Sequence, residues 1–108
     1  MKTAGKAMAS ERGLRAAQHL GRLIHRARVV RGFTQADLAE RARVSTGTVI
    51  RMERGETGVA LWTWLNAMEV LGLLQNIEAL QDATTDALVA DALPKRVGKP
   101  VTAANPDF

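Results

Sequence analysis

Cysteine and tyrosine are absent from this 108-residue sequence, and phenylalanine and tryptophan contribute only two residues each. Without cysteine, the chain can hold neither a disulfide framework nor a cysteine-based zinc site. The scarcity of aromatic side chains argues against a β-sheet, because strands favour aromatic and β-branched residues. Since 46% of the residues are apolar, we expect an all-α fold with an aliphatic core.

Long apolar stretches are also missing, because no segment approaches the roughly 18 uninterrupted apolar residues of a membrane helix. The amino terminus, MKTAGKAMASERG, lacks the apolar core of a signal peptide. His19 and His25 do not share one helix face as metal ligands, and no nucleophile, base and orienting group stand at an interpretable spacing. The sequence therefore predicts a cytoplasmic protein without a membrane segment, metal ion, cofactor or enzymatic activity.

Charge is distributed unevenly along the chain. The net charge of +4 divides into +8 for residues 1–54, which hold twelve Lys/Arg and four Asp/Glu, and −4 for residues 55–108, which hold three and seven. Such polarity attracts a polyanion to one part of the surface, and nucleic acid is one candidate among several.

Hydrophobic periodicity predicts two helices in the first part of the chain. Residues 1–10 show no period, and we expect a flexible tail that ends at Ser10, a candidate N-cap. The pattern that follows ends at Gly32, and Thr34 with Asp37 forms the capping-box signature of a second helix. The predicted apolar face of the first helix consists of Leu20, Leu23, Ile24, Ala27 and Val30.

Three further helices are predicted by the same signals. Ser45 is placed to cap a third helix that ends at Gly55. A fourth helix ends at Gly72, and a shorter fifth helix follows it. The predicted core positions of the last two helices are Leu61, Leu65, Met68 and Leu71 with Trp62 or Trp64, and then Leu73 or Leu74, Ile77 and Leu80.

The sequence after Asp82 is less regular. The stretch ATTDALVADAL is compatible either with a sixth helix around Leu88 and Leu93 or with a segment that orders on a partner. Prolines at positions 94, 100 and 106 exclude a regular helix from the tail that follows. We therefore expect a five-helix domain over residues 11–82 and a C-terminal extension over 83–108 that includes a flexible tail and serves dimerisation or partner binding.

Two capped helices lie three or four residues apart in TQADLAERARVSTGTVIRMERG, residues 34–55. A short helix, a tight turn and a second short helix with a small residue at their crossing make a helix-turn-helix. Ala39 takes the crossing position, and Val44, Val49 and Met52 reach back into the core. Five residues of the second helix and its cap are left facing outward, namely Ser45, Thr46, Gly47, Thr48 and Arg51.

This stretch resembles the signature of Xre/Cro-type helix-turn-helix regulators, which include phage repressors and the antitoxins of toxin–antitoxin operons. The resemblance covers roughly residues 14–74 and implies a lambda-repressor-like domain whose third helix enters the major groove of double-stranded DNA. Carried over position by position, it implies that Ser45, Thr46 and Arg51 contact bases, and that Gln35, Thr48 and Arg54 contact the DNA backbone. Gly47 is taken to permit close approach of the helix backbone.

The same resemblance implies a structural pair between Arg28 and Glu53, and two positions depart from the family pattern. Arg43 stands where the family prefers glycine, so the turn must hold a non-glycine residue in a tight conformation or shift slightly. We interpret Arg43 as a further phosphate contact. Ile50 stands where a small polar residue is common, and it is either a thymine-methyl contact or an apolar residue covered by another part of the protein.

A narrower resemblance lies further along the chain. The stretch LWTWLNAMEVLGLLQNIEAL, followed by LPKRV, is similar to HipB-type antitoxins. That similarity implies a homodimeric repressor of its own operon that binds a near-palindromic operator and a HipA-like toxin kinase. The alternatives are a stand-alone phage-type repressor and a protein-binding adaptor whose helix-turn-helix fold has lost contact with DNA.

Overall fold

The computed structural model describes residues 9–92, which form six α-helices and no strand. The predicted all-α fold is confirmed, and the first five helices lie within residues 11–82. A sixth helix follows Asp82, whereas the predicted position Leu93 and most of the predicted tails lie at 1–8 and 93–108, outside the described residues. The helices are α1 Glu11–Val30, α2 Gln35–Ala42, α3 Thr46–Glu53, α4 Leu61–Val70, α5 Leu74–Glu78 and α6 Ala83–Ala92.

The predicted caps of the first three helices are confirmed. Ser10 and Ser45 each accept a hydrogen bond from the backbone N–H three residues further on, at 2.9 and 3.0 Å. Thr34 and Asp37 form the reciprocal capping box, with both hydrogen bonds in place. These bonds satisfy N–H groups that have no partner inside their own helices. The predicted terminal glycines have φ of 77°, 76° and 74°, at Gly32, Gly55 and Gly72 respectively.

One aliphatic core lies among α1 to α4. The α2 helix packs against both α3 and α4, and α1 packs against α3. The five largest side chains that are less than 2% exposed come from four different parts of the chain, so the helices are held by shared burial. These side chains are Ile24, Leu38, Val49, Met52 and Leu71.

The α4 helix is rotated relative to the orientation that its sequence predicts. Leu61 is 70% exposed and Trp62 is 56% exposed, whereas Thr63 and Ala67 are buried. The small buried side chains suit the close packing of α4 on α2, and Asn66 donates a hydrogen bond of 3.0 Å to the carbonyl of the last α2 residue. Because most side chains of α4 are apolar, periodicity alone did not identify the buried face. Of the other predicted core positions, Met68 and Leu71 are buried, and Trp64 and Leu65 are half-buried.

The predicted apolar face of α1 is also only partly buried. Ile24 is fully buried, but Leu20 is 40% exposed and Val30 is 81% exposed. Two residues outside the predicted face, Gly21 and Arg28, are buried instead. The side of α1 that packs against α3 therefore carries a glycine and a charged residue.

An apolar groove lies between α1, α4 and α5. Its volume is about 230 Å³, and most of its lining is aliphatic. Six of its lining residues are Ala17, Leu20, Leu61, Leu65, Met68 and Ile77.

The α6 helix contributes nothing to the core. All ten of its residues are exposed, including Leu88 and Val89. Leu80, which was predicted to be a core position of α5, is 73% exposed and lies in the connection to α6. None of the helices in the described part of the chain is long and apolar enough to span a lipid bilayer.

Candidate nucleic-acid interface

The turn between α2 and α3 holds a non-glycine residue in a conformation that favours glycine. Arg43 ends α2 with φ 63° and ψ 41°, which is the left-handed helical region. The N–H groups of Arg43 and Val44 donate to the carbonyls of Glu40 and Ala39, at 3.2 and 3.0 Å. The turn therefore adopts the tight conformation rather than shifting, and it leads directly into the Ser45 cap of α3.

Buried side chains on both helices support this turn. Ala39 is 3% exposed, and Val49 and Met52 are fully buried. Val44 is half-buried and packs against the same core. The two helices are in contact at these positions, so the direction of α3 is determined by core packing and not by the turn alone.

The amino-terminal turn of α3 presents polar groups to solvent. Ser45, Thr46 and Arg51 are exposed, and Thr48 is half-buried. Ser45 Oγ and Thr48 Oγ1 are 2.9 Å apart, and Arg51 Nη2 donates to Thr48 Oγ1 at 3.4 Å. The three side chains form a hydrogen-bonded row along the helix, in which Ser45 is also the cap. Beside them, Gly47 is exposed and Ile50 is half-buried.

A buried carboxylate joins α1, α2 and α3. Glu53, the last residue of α3, accepts two hydrogen bonds from the Arg28 guanidinium, at 2.6 Å from Nε and 3.1 Å from Nη2. Its Oε1 also lies 3.0 Å from His25 Nδ1 and accepts a hydrogen bond of 3.1 Å from the Gln35 amide. Arg28 further donates to the Phe33 carbonyl at 2.8 Å. The network holds the end of α3 against α1 and the start of α2.

The same network sets the titration of the carboxylate. Burial acts to raise the pKa of Glu53, but the hydrogen bonds from Arg28, His25 and Gln35 outweigh it and hold the pKa below its ordinary value. The Glu53 side chain is 6% exposed and that of Arg28 is 10% exposed. Loss of either partner would therefore leave the other as a largely buried charge without the opposite charge that it pairs with.

Sequence reasoning missed His25 and Gln35 as partners of Glu53. His25 lies one helical turn before Arg28, which was already predicted to pair with Glu53. The i, i+3 spacing of His25 and Arg28 could therefore have indicated that His25 also lies near Glu53. Gln35 was assigned to the DNA backbone from its place in the first turn of α2. Its side-chain amide is half-buried and engaged with Glu53, a contact that no local pattern indicated.

Two glycines bring α1 and the end of α3 into direct backbone contact. A Cβ atom on Gly21 would lie 2.7 Å from the carbonyl oxygens of Met52 and Glu53. One on Gly55 would lie 2.6 Å from the Cα of Gln18. Sequence reasoning also missed Gly21, although glycine inside a helix costs about 1 kcal/mol relative to alanine and so indicates a packing reason.

A second groove runs beside this crossing and contains two of the predicted DNA-contacting residues. Arg51 and Arg54 both line it, together with Gln18 of α1 and the turn that follows α3. Its volume is about 430 Å³. The exposed Arg43 and Arg54 lie at the carboxyl ends of α2 and α3, respectively.

Comparison with known families identifies the protein family to which this chain belongs. A sequence model described as a helix-turn-helix domain matches residues 19–80, more than half of the chain. The chain belongs to this helix-turn-helix family. Membership indicates a DNA-binding regulator, and the family is typically non-enzymatic. No curated protein and no solved structure matches the chain.

The charge of this helix-turn-helix protein is separated along its described residues. Residues 9–54, which contain α1 to α3, hold ten arginines and four acidic residues. Residues 55–92 hold six acidic residues and no lysine or arginine. The helix-turn-helix therefore lies in the part of the chain that attracts a phosphate backbone. Within residues 9–92 no three His, Cys, Asp or Glu side chains are grouped as metal ligands.

Proposed function

We propose that this protein is a sequence-specific transcriptional repressor that binds a near-palindromic DNA operator as a homodimer in the cytoplasm, without a cofactor. The observation that carries the proposal is the exposed polar turn at the start of α3. This turn is held in place by the Ser45 cap and by the buried residues at the crossing of α2 and α3. A rigid helix end with short polar side chains can approach base edges closely. Two copies place their α3 helices about 34 Å apart, one turn of the duplex.

In this proposal α3 reads the bases and the surrounding residues contact phosphates. Ser45, Thr46 and Arg51 meet base edges, and Arg51 is suited to guanine because a guanidinium can bridge O6 and N7. Thr48 lies beside them and meets the backbone. Gln35 stands at the amino terminus of α2, where backbone N–H groups also favour a phosphate. The remaining backbone contacts come from the exposed Arg43 and Arg54.

The proposal is tested first by selecting bound sequences from a pool of random duplexes. We expect a near-palindromic consensus whose half-sites are one helical turn apart. Binding to it should weaken steeply with salt, because phosphate contacts release counterions. An adaptor that has lost DNA contact would show no enrichment, and its retention on DNA would be negligible even at low ionic strength.

Arg51 and Arg54 form a matched pair for the assignment of contacts. Arg51→Ala should cost about 1 to 3 kcal/mol and relax the preference at one base pair. Arg54→Ala should weaken binding to all sequences alike and reduce the salt slope by about 1. If Arg51→Ala leaves both affinity and preference unchanged, the assignment of Arg51 is wrong.

The narrower proposal is an antitoxin that represses its own operon and binds a HipA-like kinase. The resemblance of residues 61–80 and 93–97 supports it, as does exposed apolar surface beyond the apolar groove, at Trp62 and Leu80. Co-expression with a kinase encoded beside the gene should give a stable complex that Trp62→Ala weakens. If the adjacent genes encode no such protein, or the kinase does not co-purify, a stand-alone phage-type repressor is the better description.

A further inference from the structure

One face of α1 carries a row of basic side chains. Positions 12, 15, 19, 22 and 26 follow one another at intervals of three or four residues, so their side chains are neighbours along the helix surface. All five residues are exposed. We call this row the basic stripe, and its members are Arg12, Arg15, His19, Arg22 and Arg26.

The arginines of the basic stripe are not paired with acidic side chains of the described residues 9–92. The ion pairs there join His25 and Arg28 to Glu53, and neither includes an arginine of the stripe. Glu11 is the single acidic residue of α1. The four guanidinium groups therefore form a concentrated positive surface that attracts a polyanion.

The face of α1 opposite to the basic stripe packs into the protein. Ile24 is fully buried there, and Gly21 is also buried, against the end of α3. A basic helix binds a membrane surface through an apolar face beside its charged one. In α1 that apolar face belongs to the core, so the stripe suits a charged polymer in solution better than a lipid surface.

The basic stripe borders the second groove, which contains Arg51 and Arg54. Gln18 of α1 lines this groove and contacts the turn that follows α3. Arg15 lies three residues before Gln18 and Arg22 lies four residues after it, so both are its neighbours on the helix surface. The arginines at the end of α3 and those of the stripe therefore form one continuous basic surface.

The length of the basic stripe suits a nucleic-acid strand. Arg12 and Arg26 are fourteen residues apart, which corresponds to about 21 Å of helix. Each strand of a duplex carries one phosphate for about 3.4 Å of its axis, so the stripe spans roughly six phosphates. Guanidinium groups also match the geometry of phosphate oxygens. An acidic protein surface has no comparable regular row of anions.

We infer that the basic stripe of α1 binds the phosphate backbone of the DNA that flanks each operator half-site, beyond the bases that α3 contacts. Such contacts add affinity without sequence preference. The inference rests on the proposed function in that both concern the same duplex. Its readouts are the dependence of affinity on salt and on duplex length, which do not depend on which bases α3 reads.

The test measures the affinity of the full chain at several salt concentrations for two duplexes. One ends at the edges of the selected operator, and the other extends it by about one helical turn on each side. Arg15→Gln and Arg22→Gln each remove one charge from the stripe. Arg31→Gln is the matched control, since Arg31 is exposed, directly follows α1 and lies outside the stripe.

We expect the wild-type chain to bind the longer duplex more tightly and with a steeper salt dependence than the shorter one. On the longer duplex each stripe variant should reduce the salt slope by about 0.9 and the affinity by roughly three- to tenfold. The control should change both much less. Arg22→Lys keeps the charge and should keep the slope.

A random-sequence duplex of the greater length separates this inference from the proposed function. Phosphates carry no sequence information, so the stripe variants should weaken binding to this duplex by the same factor as binding to the operator. If selection yields no operator, the proposed function is wrong, and the random duplex still tests the stripe. If affinity is independent of flanking length and the stripe variants match the control, the inference is overturned while the assignment of α3 stands.

The stoichiometry of binding supplies a further check. Loss of a second bound duplex, with unchanged affinity for the first, would assign the stripe to contacts between duplexes and overturn the inference. Folding is followed by circular dichroism. The substituted positions are exposed, and glutamine is nearly as good a helix former as arginine, so the spectra of the variants should match that of the wild-type chain.

Discussion

Arg28 Nε and Glu53 Oε2 are 2.6 Å apart, which joins the last turn of the protein's longest described helix to the last residue of α3. The pair is largely buried, and its geometry is completed by a bond from Arg28 to the backbone that leads into α2. One ion pair therefore controls how α3 is held against α1. We therefore expect loss of this pair to lower the free energy of unfolding more than it lowers the affinity for DNA.

We expect Arg28→Met to lower the free energy of unfolding by about 3 to 5 kcal/mol, because Glu53 would remain buried without its main partner. The double variant Arg28→Met/Glu53→Met should recover most of that loss, since two apolar side chains can replace a buried ion pair at little cost. Urea denaturation measures both. His25→Ala is the control and should cost less than about 1 kcal/mol, as His25 is 53% exposed. A double variant as unstable as the single one would contradict the explanation.

The lowered pKa of Glu53 gives stability a defined pH dependence. A carboxylate whose folded pKa is depressed contributes stability above its unfolded pKa of about 4.5, and this is lost as pH falls through the folded pKa. The unfolding free energy of the wild-type chain should therefore fall more steeply below about pH 4.5 than that of Arg28→Met/Glu53→Met. Asp37 and Asp82 also have lowered pKa values, but they are present in both proteins and cancel. Parallel curves would exclude this contribution.

Arg43 is held at a positive φ that glycine adopts without cost. Arg43→Gly should raise the free energy of unfolding by about 0.5 to 1 kcal/mol. Glycine removes the strain of the left-handed conformation, and this gain is partly offset because glycine has a higher conformational entropy in the unfolded chain. Arg43→Ala keeps the strained Cβ and should change stability by less than about 0.5 kcal/mol. Both variants lose the guanidinium, so both should lose the same operator affinity if Arg43 contacts a phosphate. Equal stability of the two variants would show that the turn is not strained.

Gly21 allows the backbones of α1 and α3 to touch. Gly21→Ala should lower the free energy of unfolding by about 1 to 3 kcal/mol, because the methyl group would meet backbone atoms that cannot move separately. Alanine is otherwise the better helix former, so local propensity predicts the opposite sign. Gly58→Ala is the control, since an added Cβ there meets nothing within 4 Å. Thermal denaturation shows whether the steric clash or the better helix propensity of alanine is larger. A stabilised Gly21→Ala variant would refute the close contact between the α1 and α3 backbones.

Gly47 tests how closely α3 approaches DNA. A Cβ on Gly47 would make only an ordinary contact of 3.9 Å with Ser45 Oγ, so Gly47→Ala should leave the fold intact and stabilise it by up to about 1 kcal/mol. Affinity for the selected operator should nevertheless fall by about tenfold or more, because the methyl group enters a tight interface. Anisotropy titrations with labelled duplex measure this. Unchanged affinity would mean that the α3 backbone stays further from the bases.

Much of the helix-turn-helix was predictable because its signals are local. The capping hydroxyls of Thr34 and Ser45 bond to N–H groups three residues away, and the glycine at position 55 ends α3 within a single turn. The burial of Ala39, Val49 and Met52 was predicted from the spacing of one short motif. The left-handed Arg43 was one of two outcomes that the sequence allowed, and only the backbone of the folded chain distinguished them.

Contacts between distant residues were predicted less well. Leu61 is exposed although it was predicted to be a core position, because α4 is apolar on nearly every side and the face that it buries depends on how close α2 lies. His25 and Gln35 meet Glu53 only because three helices converge there. No local pattern encodes these distances, since they result from packing across the whole core.

By itself the sequence determined where the first three helices begin, that two of them form a helix-turn-helix, and that the first half of the chain is net basic and the second half net acidic. Hydrogen bonds within a few residues and simple composition are enough for these features. The tertiary structure alone decided which face of α4 is buried, why α1 needs glycine at position 21, and which side chains surround Glu53. Those features depend on distances between helices, which arise only when the core is packed.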